Sequence, residues 1–182
     1  MAFIKLLRPH QYIKNLLVFF PLFFALKINN LVLLKQSVIA FAAFCFAAST
    51  IYIVNDIRDI EKDKAHPEKK NRPLASGKVS VKKAMVISVL LFLAAVALSC
   101  FGGLNLFLII GFYILMNIGY SFGLKNVPLL DIFIVSSGFL IRLLAGTHFG
   151  GIEGIDPSPW IIIMTFLMSL FLAFAKRRDD LV

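Results

Sequence analysis

Three aspartates recur in the run Asn55-Asp56-Ile57-Arg58-Asp59-Ile60-Glu61-Lys62-Asp63, directly after a long apolar stretch. On a helix turning about 100° per residue, Asp56, Asp59 and Asp63 fall on one face within about two turns. Three like charges on one face repel. The arrangement becomes useful when a cation bridges the carboxylates to an anion. Mg²⁺ suits that task, because it prefers hard oxygen ligands and is commonly held by one or two carboxylates together with a substrate's phosphates. For the spacing alone, an ordinary solvated helix end is the competing reading.

The next residues, Lys64-Ala65-His66-Pro67-Glu68-Lys69-Lys70-Asn71-Arg72-Pro73-Leu74-Ala75-Ser76-Gly77-Lys78, are basic and punctuated by two prolines and a glycine, so they form a shaped loop. Lysine supplies a point charge and arginine a planar fork for phosphate oxygens. Lys69 and Arg72, ahead of Lys70, are therefore the candidates to clamp an anion that metal already holds on the aspartates. Anchoring the loop to anionic lipid is the alternative use. A second cluster runs from Tyr120 through Ser121 and Lys125 to Asp131 and forms the expected opposite wall. Tyr120 alone suits an interfacial aromatic belt, and Lys125 and Asp131 are either site residues or helix caps. His66 precedes a proline with no partner at metal spacing and reads as a loop residue.

These groups must be positioned by a membrane protein. Hydrophobic residues make up 59% of the 182, aromatics 13% and charged residues 16%, with a mean hydropathy of +0.87. Soluble domains run nearer half apolar and a quarter charged. The fold class expected is all-α, a polytopic membrane helix bundle forming one domain over residues 1–182. The net charge of +9 does not point to nucleic acid, because the basic residues lie in short stretches between apolar runs. Cys45 and Cys100 lie inside apolar runs and read as small packing residues. The first apolar run lacks a small-residue cleavage pattern, so residues 15–28 are expected to remain as a span.

A spanning helix needs about 20 mostly apolar residues. Six segments qualify: Tyr12 to Ile28, Leu33 to Asp56, Val81 to Phe101, Leu104 to Phe122, Leu129 to Thr147, and Pro159 to Ala175. The first is short and carries Pro21, so a tilt or kink is expected there. All of the 19 Lys and Arg residues except Lys27, Lys35 and Arg142 then fall on one side. The positive-inside rule places that side, with both termini and the aspartate loop, in the cytosol. Arg142 falls in the middle of the fifth span, where a charge costs at least a few kcal/mol and marks a pathway, a partner or a site. Asp131 shares its face but lies about 16 Å away along the axis, too far for contact.

The pattern Asn55-Asp56-x-x-Asp59-x-x-x-Asp63, followed by Arg72-Pro73-x-x-Ser76-Gly77, resembles the first signature of the UbiA-type intramembrane transferases. Within that superfamily the chain is most similar to the decaprenyl-phosphate phosphoribosyltransferases. The matches are Arg8-Pro9-x-Gln11-Tyr12-x-Lys14-Asn15 with Pro21-Leu22; His66-Pro67-x-Lys69-x-x-Arg72-Pro73; Asp131 with Gly138-Phe139-x-x-Arg142-x-x-Ala145-Gly146; and Ser158-Pro159-Trp160 running to Lys176-Arg177-Arg178. The resemblance implies a helical enzyme that binds a diphosphate through Mg²⁺ on Asp56, Asp59 and Asp63 and transfers the group attached to it. It further implies 5-phosphoribosyl diphosphate as donor and a polyprenyl phosphate as acceptor, with Lys14, Asn55, Lys69, Arg72, Tyr120, Lys125, Asp131, Arg142, Lys176 and Arg177 as substrate contacts. No nucleic acid is implied.

Two departures shape the expectation. Prenyl-diphosphate users in the superfamily carry a second aspartate-rich motif after the sixth span, where this chain reads Lys176-Arg177-Arg178-Asp179-Asp180. A basic stretch there favours a donor with an additional phosphate. Members also have about nine spans, so a chain of six is expected to lack the C-terminal ones, with a second copy or another chain supplying the remaining wall. The rival readings are prenyl transfer to an aromatic acceptor and an inactive or accessory membrane fragment.

Overall fold

The computed structural model describes residues 2–124, 127 and 129–179, with the side chains of Lys176, Arg178 and Asp179 left out. The elements are α1 (Ala2–Leu7), a 3₁₀ segment (Pro9–Phe19), α2 (Phe20–Phe24), α3 (Leu31–Arg58), α4 (Ile60–Ala65), α5 (Val81–Phe101), α6 (Leu104–Ser121), α7 (Leu130–Ala145) and α8 (Pro159–Asp179), with 3₁₀ turns at Lys69–Asn71 and His148–Gly150. No strand occurs among the described residues. Helices α3, α5 and α6 are long and apolar enough to cross a membrane, and Pro159–Ala175 is a shorter apolar stretch.

Local chemistry sets the ends of these elements. Asn30 caps α3, its side-chain oxygen accepting the Val32 and Leu33 amides at 3.0 and 3.3 Å. Ser80 caps α5 through the Lys83 amide. The turn between α5 and α6 passes through Gly103 at φ +103°, a conformation that favours glycine. Helix α3 carries Ala40, Ala43, Ala47 and Ala48 buried along its length, so α5, α6 and the 3₁₀ segment approach it closely. Helix α7 packs on the 3₁₀ segment and α6, and α8 rests mainly on α7. A second core of Leu6, Ile53, Leu74, Val79 and Ala84 fastens α1 and the loop after α4 to α3 and α5, beside the aspartates.

The first expected span differs from an ordinary helix. Its start is a 3₁₀ run of 11 residues, well beyond the three or four usual for that geometry, and only Phe20–Phe24 is α-helical. Pro9 opens the run with its φ already set, and Pro21 offers no amide to the carbonyl that an α-helix would pair with it. At three residues per turn, positions three apart eclipse. Tyr12, Asn15, Val18 and Pro21 accordingly share one edge: Asn15, Val18 and Pro21 are buried, while Ile13 and Leu16 face outward. The Tyr12 hydroxyl lies 2.7 Å from the Ser49 hydroxyl, which donates to the Leu7 carbonyl at 2.9 Å.

Arg142 finds its partners on this same edge. It is 5% exposed and donates Nε to Asn15 Oδ1 at 2.7 Å, Nη1 to the Gly138 carbonyl at 2.6 Å and Nη2 to the Tyr113 hydroxyl at 2.7 Å. Its guanidinium also lies 4.9 Å from the Tyr113 ring centre. One arginine thus joins α7, α6 and the 3₁₀ segment. Asn15 in turn donates to the sulfur of buried Cys45 at 3.2 Å. Cys100, by contrast, is exposed on α5, so the expectation that both cysteines pack inside holds for Cys45 alone.

Gly146 closes the same seam. A Cβ there would lie 2.0 Å from the Val18 carbonyl oxygen, which belongs to backbone and has no rotamer to yield. Gly146→Ala is expected to destabilise the protein by about 3 kcal/mol, read as a lower unfolding temperature in detergent. Gly111→Ala, with nothing within 4 Å of the added carbon, should stay neutral or gain up to about 1 kcal/mol. In the same assay Tyr113→Phe, which removes one acceptor from a buried charge, should cost about 2 kcal/mol.

Candidate active site

Helix α3 ends at Arg58, and Asp59 (φ −96°, ψ 13°) interrupts the helix before α4 resumes at Ile60. The three aspartates therefore do not ride one unbroken helical face, which corrects the simple spacing argument. Asp56 and Asp63 are 3% and 4% exposed, whereas Asp59 sits half-buried at the break. Buried carboxylates demand charge partners. One nitrogen of Arg72, Nη1, donates to Asp56 Oδ1 at 3.2 Å and to Asp63 Oδ2 at 2.7 Å, and Arg8 Nη2 donates to Asp56 Oδ1 at 2.6 Å.

The loop is built to deliver Arg72 to that point. The His66 ring nitrogen accepts the Glu68 and Lys69 amides at 3.2 and 3.4 Å, tightening the turn, so this histidine serves the loop's shape. Ser76 donates to the Arg72 carbonyl at 2.8 Å. Leu74 and Val79 then bury into the second core, and Gly77 turns at φ +71° between them. Arg8 arrives from the other side, at the joint between α1 and the 3₁₀ segment, with its guanidinium 5.2 Å from the Tyr52 ring centre.

Between these two approaches lies a cleft of about 650 Å³ lined by Lys5, Arg8, His10, Gln11, Asn71 and Arg72, with Asp56 and Glu68 also in its wall. It is a cleft of mixed polarity, with three Lys and Arg side chains against two carboxylates, set beside the Asp56–Asp63 pair. Mg²⁺ fits Asp56 and Asp63 by donor type, since both supply hard oxygens and already share one cationic nitrogen. Among the described residues, no three His, Cys, Asp or Glu side chains form a set able to hold a metal ion.

The other sequence candidates fall into separate groups. Lys69 is exposed on the 3₁₀ turn Lys69–Asn71. Lys14 is half-buried on the 3₁₀ segment, next to Asn15. Asn55, at the last turn of α3, is hydrogen-bonded to the Ser121 hydroxyl, and Arg58 donates to the Ser121 carbonyl while lying 4.5 Å from the Phe122 ring centre. These contacts fix the end of α6 against the end of α3. Asp131 at the start of α7 is paired with Arg177 near the end of α8, and Tyr120 is half-buried in the last turn of α6. Asp131 and Arg177 thus meet at one point, and Asp56, Asp63 and Arg72 at another. Arg142 belongs to the frame described above and does not line the cleft. Lys125 and the side chain of Lys176 lie outside the described residues.

Spacing within the aspartate motif did not single out Arg8. Its sequence signals are its place in the Arg8-Pro9-x-Gln11-Tyr12-x-Lys14-Asn15 match and the Arg-Pro pair, in which proline opens a new helical segment and forces the preceding residue out of the helix. Asn15 was marked by that match alone and Tyr113 by nothing, because their role depends on where Arg142 lands.

Comparison with known proteins gives the family and the fold. Residues 16–181 match the UbiA prenyltransferase family. The chain is 43% identical to the decaprenyl-phosphate phosphoribosyltransferase of Corynebacterium glutamicum over 98% of its own length and 54% of that protein, and 41% identical to that of Mycolicibacterium smegmatis over 98% and 56%. It therefore spans a little over half the length of these relatives. In fold it is similar to a UbiA homolog from Archaeoglobus fulgidus bound to GPP and Mg²⁺, with a TM-score of 0.77 at 20% identity over 93% of this chain and 60% of that one. The chain belongs to the UbiA prenyltransferase family.

Proposed function

We propose that this chain transfers 5-phosphoribose from phosphoribosyl diphosphate to a polyprenyl phosphate of the decaprenyl type. The observation that carries the reading is the basic cleft at Arg8 and Arg72, beside the paired carboxylates of Asp56 and Asp63. A donor with a diphosphate and a separate phosphate ester needs more positive charge than a prenyl diphosphate does. The similarity to decaprenyl-phosphate phosphoribosyltransferases along 98% of the chain supports the same choice.

In this reading Asp56 and Asp63, with Asp59 beside them, hold Mg²⁺. Bound there, the ion supplies charge neutralisation to the departing diphosphate. Arg72 donates paired hydrogen bonds to diphosphate oxygens, and Lys69 adds charge from the loop. The bond from the ribosyl carbon to the diphosphate oxygen breaks, and a bond from that carbon to a lipid-phosphate oxygen forms. The attacking phosphate is already anionic, so no strong general base is required. Lys14 and Lys125 hold the second phosphate or the lipid phosphate, Asn55 and Tyr120 line the approach, and Asp131 orients Arg177, with Lys176 adding to the basic end. Arg142 contributes by fixing the frame.

The membrane arrangement proposed is six spans in one transferase domain, with both termini and the site on the cytoplasmic side of the cell membrane. A water-soluble donor would meet a lipid acceptor there.

Membranes containing the chain, supplied with Mg²⁺, a polyprenyl phosphate and labelled phosphoribosyl diphosphate, should pass label into the solvent-extractable lipid. Asp56→Asn and Asp63→Asn should each lower that rate by at least about a hundredfold, as expected when charge stabilisation of a leaving group is lost. Folded, metal-supplied protein that labels no lipid would overturn the assignment.

A further inference from the structure

A single nitrogen of Arg72 stands between Asp56 Oδ1 and Asp63 Oδ2, at 3.2 and 2.7 Å. The charge of that one nitrogen serves both carboxylates, which a shared divalent cation would otherwise serve. Arg8 holds the same Asp56 oxygen at 2.6 Å. A guanidinium does not lose its charge in a protein. A divalent ion arriving alone would therefore have to displace two cations and then face them, with the single carboxylate of Glu68 in the cleft wall to receive them.

Both arginines also line the cleft that Lys5, His10 and Gln11 share, so each can reach an anion there without leaving its place in the fold. Arg8 is held for this position at a local cost. Its backbone lies at φ +53° and ψ +56°, the left-handed region that a non-glycine residue avoids, between Leu6, buried in the second core, and Pro9, which opens the 3₁₀ segment. The strain aims its guanidinium across Tyr52 at Asp56.

We propose that Arg8 and Arg72 are an exchangeable counter-cation. They occupy Asp56 and Asp63 until a divalent cation arrives with a diphosphate group, then move to the phosphate oxygens, so that the site takes cation and anion together and holds neither well alone. Arg8 is in this sense a positioning residue for the metal–diphosphate unit. The inference rests on the proposed use of a diphosphate donor, and by linkage each ligand must tighten the other by the same factor.

The test uses the full chain in detergent and Mn²⁺, which shares the octahedral oxygen preference of Mg²⁺ and is read by electron paramagnetic resonance. Mn²⁺ is titrated alone, with inorganic diphosphate, and with phosphoribosyl diphosphate, with aqueous Mn²⁺–diphosphate accounted for. In the unaltered chain either anion should tighten Mn²⁺ binding by about tenfold or more. Arg8→Gln should bind Mn²⁺ alone about tenfold more tightly than the unaltered chain, and the gain from diphosphate should shrink accordingly. Lys78→Gln removes an exposed charge from the loop after α4, outside the cleft lining, and its Mn²⁺ affinity should stay within about twofold because an exposed charge is screened. Arg8→Lys should restore the coupling.

An Arg8→Gln titration that matches Lys78→Gln would overturn the exchange. So would Mn²⁺ binding by the unaltered chain that ignores diphosphate, a result that decides the matter even if Arg8→Gln does not fold. If inorganic diphosphate tightens Mn²⁺ binding and phosphoribosyl diphosphate does not, the exchange stands and the donor assignment fails.

Discussion

Two carboxylates are buried at the end of α3 and in α4, and one arginine side chain reaches both. Burying a charge without a partner costs several kcal/mol, so Asp56 and Asp63 cannot hold these positions unless Arg72 is delivered to them. Delivery requires the loop after α4 to turn back at Pro67 and Pro73, which in turn requires Leu74 and Val79 to have a core to enter. That core exists because α1 folds over α3 and presents Leu6. The ion pair and the small apolar cluster are thus conditions for one another. The helix break at Asp59 lets the chain leave the α3 axis between them.

The molecule uses arginine in two different ways. Arg142 is sealed among Asn15, Gly138 and Tyr113, all uncharged partners that satisfy its donors without cancelling its charge. It behaves as a rivet between helices. Arg8 and Arg72 are partly open, 20% and 29% exposed at the side chain, and their partners are carboxylates that a cation can claim. Arg8 and Arg72 border the cleft, which leaves room for exchange, and Arg142 does not.

Much of the helical layout was readable from the chain. Val81–Phe101 and Leu104–Ser121 match the expected spans almost residue for residue, because a continuous apolar run bounded by Ser80, the glycine pair and Phe122 leaves few alternatives. The aspartate motif also pointed to the two buried carboxylates that Arg72 joins. The bend at Asp59 was not readable, since nothing in D-x-x-D-x-x-x-D distinguishes a straight helix from an interrupted one. Nor were the pairings of Arg177 with Asp131 or of Arg8 with Asp56, because both are contacts across long stretches of chain that only the packing decides. Asn15 shows the limit most clearly. The motif around Lys14 and Asn15 marks the asparagine, but its task is set only when an arginine from α7 arrives beside it.

The 3₁₀ segment also alters the reach of the chain. An α-helix advances about 1.5 Å per residue and a 3₁₀ helix about 2.0 Å. With 11 residues in the tighter winding and five in α2, Pro9–Phe24 covers about 30 Å, the hydrocarbon thickness that ordinarily asks for about 20 α-helical residues. A stretch too short by composition reaches as far as a full-length span by being wound thinner. Drawing it out also sets Arg8 at one end and Leu22, in the third core with Ile152 and Ile155, at the other. The segment therefore works as a taut strut, and shortening it by a return to α-helix would pull Arg8 away from Asp56 or Leu22 out of its core.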